Sequence, residues 1–237
     1  MEDEALRTIA VFFGGFRQDM VEPPGGVFKS WIEGLGAVNE SIMNLWSGNG
    51  DSLQRRWTSA EAAVRRIHDL TAKVHVLGYS MGCHLAVKFA LDLFAAGTGN
   101  VSFGDVYLIA PDPKFIRNEL DDKDGPESSA FEEAKTLWGT RDAPGEAFAR
   151  TLQALPSQLG SVVNLVYSEA DSVAQWKDNV ARLRIECGDP HQFHWTEAWI
   201  GDVTDGRVHC KLIPPDASDE FWVHDQLFAN TRLLPPL

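Results

Sequence analysis

Five strand-length apolar runs, separated by stretches of helical periodicity, constrain this chain more than any other feature. They are TIAVFF (Thr8 to Phe13), SIMNLW (Ser41 to Trp46), KVHVLG (Lys73 to Gly78), DVYLIA (Asp105 to Ala110) and VVNLVY (Val162 to Tyr167). Each is rich in β-branched and aromatic residues and nearly continuous rather than alternating, the pattern of strands buried on both faces. Between the second and third runs, Thr58 and Glu61 form a capping box, and Ala60, Ala63, Val64, Ile67 and Leu70 follow at helical spacing. After Ser80, the residues Leu85, Ala86, Phe89, Ala90 and Leu93 do the same, ending at Gly97. Such alternation predicts an α/β fold with a mostly parallel central sheet and helices on both faces.

A chain of 237 residues can bury the core of one large α/β domain, so residues 1–237 are read as a single domain. From Pro111 to Gly160 the pattern breaks into prolines, charges and two short amphipathic pieces. We expect residues 111–160 to be an insertion after the fourth core strand, either a cap over a site or a surface embellishment. Phe115, Phe131, Leu137, Trp138 and Phe148 are its candidate apolar lining. Farther on, FHWTEAWIGDVTDGRVHCKLIPP reads as two extended segments joined as a hairpin at Asp205-Gly206, with Arg207 to Ile213 as the last strand. A helix is expected over DEFWVHDQLFANTRLL.

The net charge of −13 argues against a protein that grips nucleic acid or anionic lipid, because both would repel it. The run Ile9 to Phe13 is too short for a signal-peptide core or a membrane span. Three scattered cysteines, Cys83, Cys187 and Cys210, do not make a disulfide framework. A cytoplasmic protein is the expectation these features support.

The third run leads into Gly78-Tyr79-Ser80-Met81-Gly82, a serine framed by glycines between a buried strand and an amphipathic helix. A serine hydroxyl must be exposed, deprotonated and held beside hydrogen-bond donors to act as a nucleophile. Small residues two positions either side allow the sharp turn that meets the first need. With this motif, VFFGGFRQ after the first strand and the glycine-rich LWSGNGDS, the chain resembles the α/β-hydrolase family over most of its length.

The resemblance implies a triad in the chain order serine, acid, histidine. Asp171, just past the fifth run, matches the acid; Asp112 after the fourth run is its main competitor, and Glu169 a weaker one. His224, after the last predicted strand and a proline-bearing loop, matches the base. His209 falls within a strand, His191 and His194 precede it, and His68, His75 and His84 look structural. The implied oxyanion donors are the backbone N–H of Met81 and of Phe16, with Gly15 as the near alternative for the second. Gly14 stands where many family members carry histidine, a departure that leaves the second donor open. Tyr79 and Trp138 are the candidate substrate contacts, and Trp46 and Trp57 the other tryptophans to seek near a pocket.

The implied activity is cleavage of a small-molecule carboxylic ester or thioester through an acyl-enzyme. The alternatives are an acyltransferase with the same triad and a non-catalytic binding or scaffold protein that keeps the fold. No cofactor is expected. Cys187, His191, His194, His209 and Cys210 lack the spacing of a standard zinc site, so no metal is expected either.

Overall fold

The computed structural model describes residues 7–14, 42–44, 53–80, 82–97, 100–111, 136–139, 144–161, 163–168, 193–196 and 208–213. In chain order these form β1 (Arg7–Phe13), β2 (Ile42–Asn44), α1 (Leu53–His68), β3 (Ala72–Tyr79), α2 (Gly82–Ala95), β4 (Val101–Ile109), α3 (Pro144–Leu159), β5 (Val163–Ser168), β6 (Phe193–Thr196) and β7 (Val208–Ile213). The strands make one seven-stranded sheet in the order β2-β1-β3-β4-β5-β7-β6. All six neighbouring pairs are parallel. Each of the five apolar runs contains or overlaps a strand, as their composition predicts.

Strand burial explains why those runs are continuous. Ile9, Val11, Phe13, Val74, Val76, Val106, Leu108, Val163 and Leu165 share a core cluster with α1, α2 and α3. Alternation puts Ala10, Phe12, Leu77, Tyr107, Ile109 and Val166 on the other face, and these are buried too. A strand with no solvent face has no position at which a polar side chain is favoured.

Three expectations need correction. Helix α1 begins at Leu53, so Thr58 and Glu61 lie inside it rather than at its start. Gln54, Arg55 and Arg56 are good helix formers, and a capping box is only a local option that a longer helix overrides. The last two strands are not a hairpin, because β6 runs parallel to β7, with Phe193 opposite Val208 and Thr196 opposite Lys211. Parallel neighbours require a crossover, for which the 197–207 connection is far better suited than a two-residue turn.

The third correction concerns the stretch 111–160. Its residues 144–159 form α3, whose Phe148, Leu152, Leu155 and Leu159 belong to the same core as the sheet. Pro144 occupies the first position of α3, where its missing N–H costs nothing, and Pro156 lies near the other end. Leu137 and Phe148, expected to line a cap, are core residues, and Trp138 packs partly buried against them. Phe115 and Phe131 lie outside the described residues, as does the predicted C-terminal helix. No helix among the described residues is long and apolar enough to cross a membrane.

Candidate functional site

Strand order locates the crevice before any side chain is considered. From β1 the chain steps outward to β2, whereas β3 lies on the opposite side of β1 and leads on to β4. In an open parallel sheet, ligands bind where the order reverses, outside the carboxyl ends of the strands. Here those ends are Phe13-Gly14 of β1 and Tyr79-Ser80 of β3.

Ser80 stands in the two-residue gap between β3 and α2 with φ at 51°, in the left-handed region that residues other than glycine rarely occupy. Such a conformation costs about 1–2 kcal/mol and must be held by its surroundings. Ser80 N–H donates to the Ile109 carbonyl at 2.8 Å, and Cys83 N–H donates to the Ser80 carbonyl at 3.0 Å. The Cys83 thiol adds a weak bond to the same Ile109 carbonyl at 3.5 Å. Tied to β4 on one side and to α2 on the other, Ser80 keeps a partly exposed side chain at the sheet edge.

The flanking glycines serve clearance, since the strained φ falls on the serine itself. A Cβ on Gly78 would lie 2.7 Å from Cys83 Cα and 2.8 Å from Ala86 Cβ, so the end of β3 can touch α2 only without one. A Cβ on Gly82 would run into the backbone of Phe13 and Gly14, reaching 2.7 Å from the Phe13 carbonyl carbon. The start of α2 therefore packs directly on the turn after β1. That contact brings together the two chain segments from which oxyanion donors were expected. Gly15, Phe16 and Met81 themselves lie outside the described residues.

A second strained residue adjoins the first. Ala110, immediately after β4, has φ at 50° and donates its N–H to the Val166 carbonyl of β5 at 2.7 Å. Asp112 lies three residues beyond β4 and Asp171 three beyond β5, so both candidate acids continue from carboxyl ends of strands on the β4 side of β3. Asp112, Asp171, Glu169 and His224 all lie outside the described residues, as do Trp46 and the side chain of Trp57.

Tyr79 is 1% exposed and ranks among the largest fully buried side chains, so it is a core residue and not a substrate contact through its ring. Trp138 is partly buried, and its indole N–H donates to His84 Nδ1 at 3.0 Å. His84 is fully buried in the first turn of α2, with its ring 4.6 Å from that of Phe148. Sequence reasoning classed His84 as structural and gave it no partner, because 54 residues separate it from Trp138 and no local pattern links them.

Lower on β3, His75 is buried on the face opposite α1, α2 and α3. Its Nδ1 accepts from Asp105 N–H at 3.1 Å, and Tyr107 donates its hydroxyl to Asp105 Oδ2 at 3.1 Å. Desolvation, reinforced by Lys73 and opposed by Asp105, lowers the His75 pKa to about 4. Burial, then the Asp105 charge and its hydrogen bond, hold the Tyr107 phenol well above its usual range. Among the described residues no group of three or more His, Cys, Asp or Glu side chains could hold a metal ion. Cys187 and His191 lie outside them, and the β6–β7 register sets His194 opposite His209.

No family model matches the sequence, and neither does any curated protein. Solved structures do resemble it. One described as "Putative hydrolase from Agrobacterium vitis S4" has a TM-score of 0.54 at 18% identity, covering 95% of this chain and 87% of its own. Est1E from Butyrivibrio proteoclasticus has a TM-score of 0.52 at 13% identity, over 94% and 86% of the two chains. The same protein with ferulic acid bound gives 0.50 at 14% identity, over 94% and 87%. Identities this low carry the architecture and not the activity. With the parallel sheet, the glycine-framed turn at its switch point and these likenesses along nearly the whole chain, the protein has the α/β-hydrolase fold.

Proposed function

We propose that the protein is a serine hydrolase that cleaves a small-molecule carboxylic ester or thioester through an acyl-enzyme. One observation carries the reading: Ser80 is held in a left-handed turn, at the carboxyl edge of the sheet where the strand order reverses. Backbone strain at a serine in that place is what presenting a nucleophile to a carbonyl requires.

In this reading His224 takes the Ser80 proton as Oγ attacks the carbonyl carbon. The tetrahedral oxyanion is received by the N–H groups of Met81 and of Phe16 or Gly15. Collapse expels the alcohol or thiol, which takes the proton from His224. Water then repeats the sequence on the acyl-Ser80 ester, releasing the acid. Asp171 orients the imidazole and stabilises its protonated form. Asp112 remains the competing acid, because it too follows a strand in the sequence, three residues after the end of β4.

The test is intact mass after exposure to a fluorophosphonate. A single adduct on Ser80, absent in Ser80→Ala and slowed in His224→Ala, supports the reading. Slower labelling of Asp171→Asn than of Asp112→Asn assigns the acid. No adduct, under conditions that label a control hydrolase, refutes the hydrolase reading in favour of a binding protein.

A further inference from the structure

The His84–Trp138 pair is not explained by core packing alone. Leu137, next in the chain, is 6% exposed and belongs to the core, whereas Trp138 stays partly open. A half-open indole would ordinarily choose among several rotamers. Here its N–H is tied to His84 Nδ1 at 3.0 Å, and its ring meets Phe148 edge-on with centroids 6.3 Å apart. The bond requires His84 Nδ1 to be unprotonated, and the ring of His84 is itself packed against Phe148. Trp138 is thus set in one orientation by a buried polar group.

The height of this pair on the fold gives it meaning. His84 is two residues past the start of α2, within about 3 Å of it along the axis at the usual helical rise. Helical side chains lean toward the N-terminal turn, so His84 leans toward the Ser80 end of α2 and carries Trp138 with it. A rigid, partly open aromatic plane held at the Ser80 end of α2 would suit an apolar acyl group, which gains by leaving water and needs no hydrogen bond.

We infer that Trp138 is a wall of the acyl site beside Ser80, selecting esters or thioesters with an apolar acyl chain, and that His84 is the residue that positions it. This rests on the hydrolase reading above. Trp138 touches substrate, and His84 acts only through Trp138.

The experiment measures kcat and KM for p-nitrophenyl acetate and p-nitrophenyl octanoate in wild type, Trp138→Ala, Trp138→Phe, His84→Leu and His84→Asn. Loss of a buried apolar contact of this size raises KM for the octanoate in Trp138→Ala about tenfold more than KM for the acetate. His84→Leu shifts the octanoate KM in the same direction by a smaller factor. His84→Asn, whose side-chain oxygen can accept near the position of Nδ1, returns it toward wild type. Trp138→Phe keeps the aromatic wall without the N–H and falls between wild type and Trp138→Ala, which holds the test open if a His84 variant fails to fold. An unchanged acetate-to-octanoate preference in folded Trp138→Ala that still labels at Ser80 overturns this inference and leaves the hydrolase reading intact. Absence of labelling at wild-type Ser80 overturns both.

Discussion

Strand β3 carries two close approaches, at its carboxyl end and in its middle, and they differ in what a glycine makes room for. At the carboxyl end, Gly78 and Gly82 let backbone meet its neighbours, with Ser80 strained between them. In the middle, Gly104 of β4 makes room for a side chain, since a Cβ there would lie within 2.7 Å of His75 Nε2. The Val74/Val76 register shift between β3 and β4 falls at this place, and Ser161 donates its hydroxyl to the Gly104 carbonyl. One end of the strand uses tight packing to present a hydroxyl to the crevice, and the middle uses it to enclose an imidazole. A glycine next to backbone cannot be relieved by changing a side chain, whereas a glycine next to a ring can.

The largest effect comes from the first half of that statement. Gly82→Ala forces α2 away from the Phe13-Gly14 backbone and should cost about 3 kcal/mol, at the upper end for overpacking. In a chain of this length that lowers the melting temperature by roughly 6–12 °C. Fluorophosphonate labelling of Ser80 should slow at temperatures where the variant is still folded, because the segments on either side of the crevice separate. Unaltered melting and labelling would show that the turn after β1 moves freely against α2.

The interior site is tested by pH. Unfolded His75 takes up a proton near its ordinary value of 6.5, whereas in the fold its pKa is lowered to about 4. Between these values the unfolded chain binds more protons, so the stability His75 contributes is present above pH 6.5 and lost as pH falls toward 4. The full loss is about 3 kcal/mol. Urea denaturation from about pH 7.5 down to about pH 4.5 should show this decline, and His75→Gln should flatten it. A decline identical in the variant would assign it to other groups.

These two regions also mark how far the sequence could be read. The apolar runs revealed the strands because burial on both faces imposes a composition, and the elbow was legible because Gly78, Ser80 and Gly82 are close neighbours in sequence. The β6–β7 pairing was not, since Asp205-Gly206 is a good local turn and parallel pairing is decided by the rest of the sheet. Helix α3 was obscured by Pro144 and Pro156, which read as breaks although a first-turn proline suits a helix. His84 and Trp138, like His75 and Gly104, meet through the fold across a span that no periodicity encodes.

A double-mutant cycle sharpens the contrast at smaller scale. Gly104→Ala should destabilise by about 2 kcal/mol in wild type, and most of that should vanish in a His75→Ala background, where the ring it strikes is gone. The coupling, read from urea midpoints of the four proteins, should be about 1–2 kcal/mol. Additive effects would mean that the β4 backbone, and not the imidazole, resists the added methyl group.

The smallest effect concerns the strain itself. Ser80 and Ala110 both hold left-handed backbone without being glycine, and they adjoin through the bond from Ser80 N–H to the Ile109 carbonyl. Ser80→Gly and Ser80→Ala should both abolish labelling, yet they differ in their ability to adopt φ near 51°. The glycine variant should be the more stable by about 1 kcal/mol, less than the full left-handed penalty because glycine loses more chain entropy on folding. That is roughly 2–4 °C in melting temperature for a chain of this length. Ala110→Gly should gain a similar amount, and here the consequence for labelling is informative. If Ala110 only links β4 to the next segment of chain, Ser80 reacts at the wild-type rate. If its strain helps fix the Ile109 carbonyl that restrains the elbow, relaxing it stabilises the protein while slowing Ser80, and the two strained residues then act as one device at the carboxyl edge of the sheet.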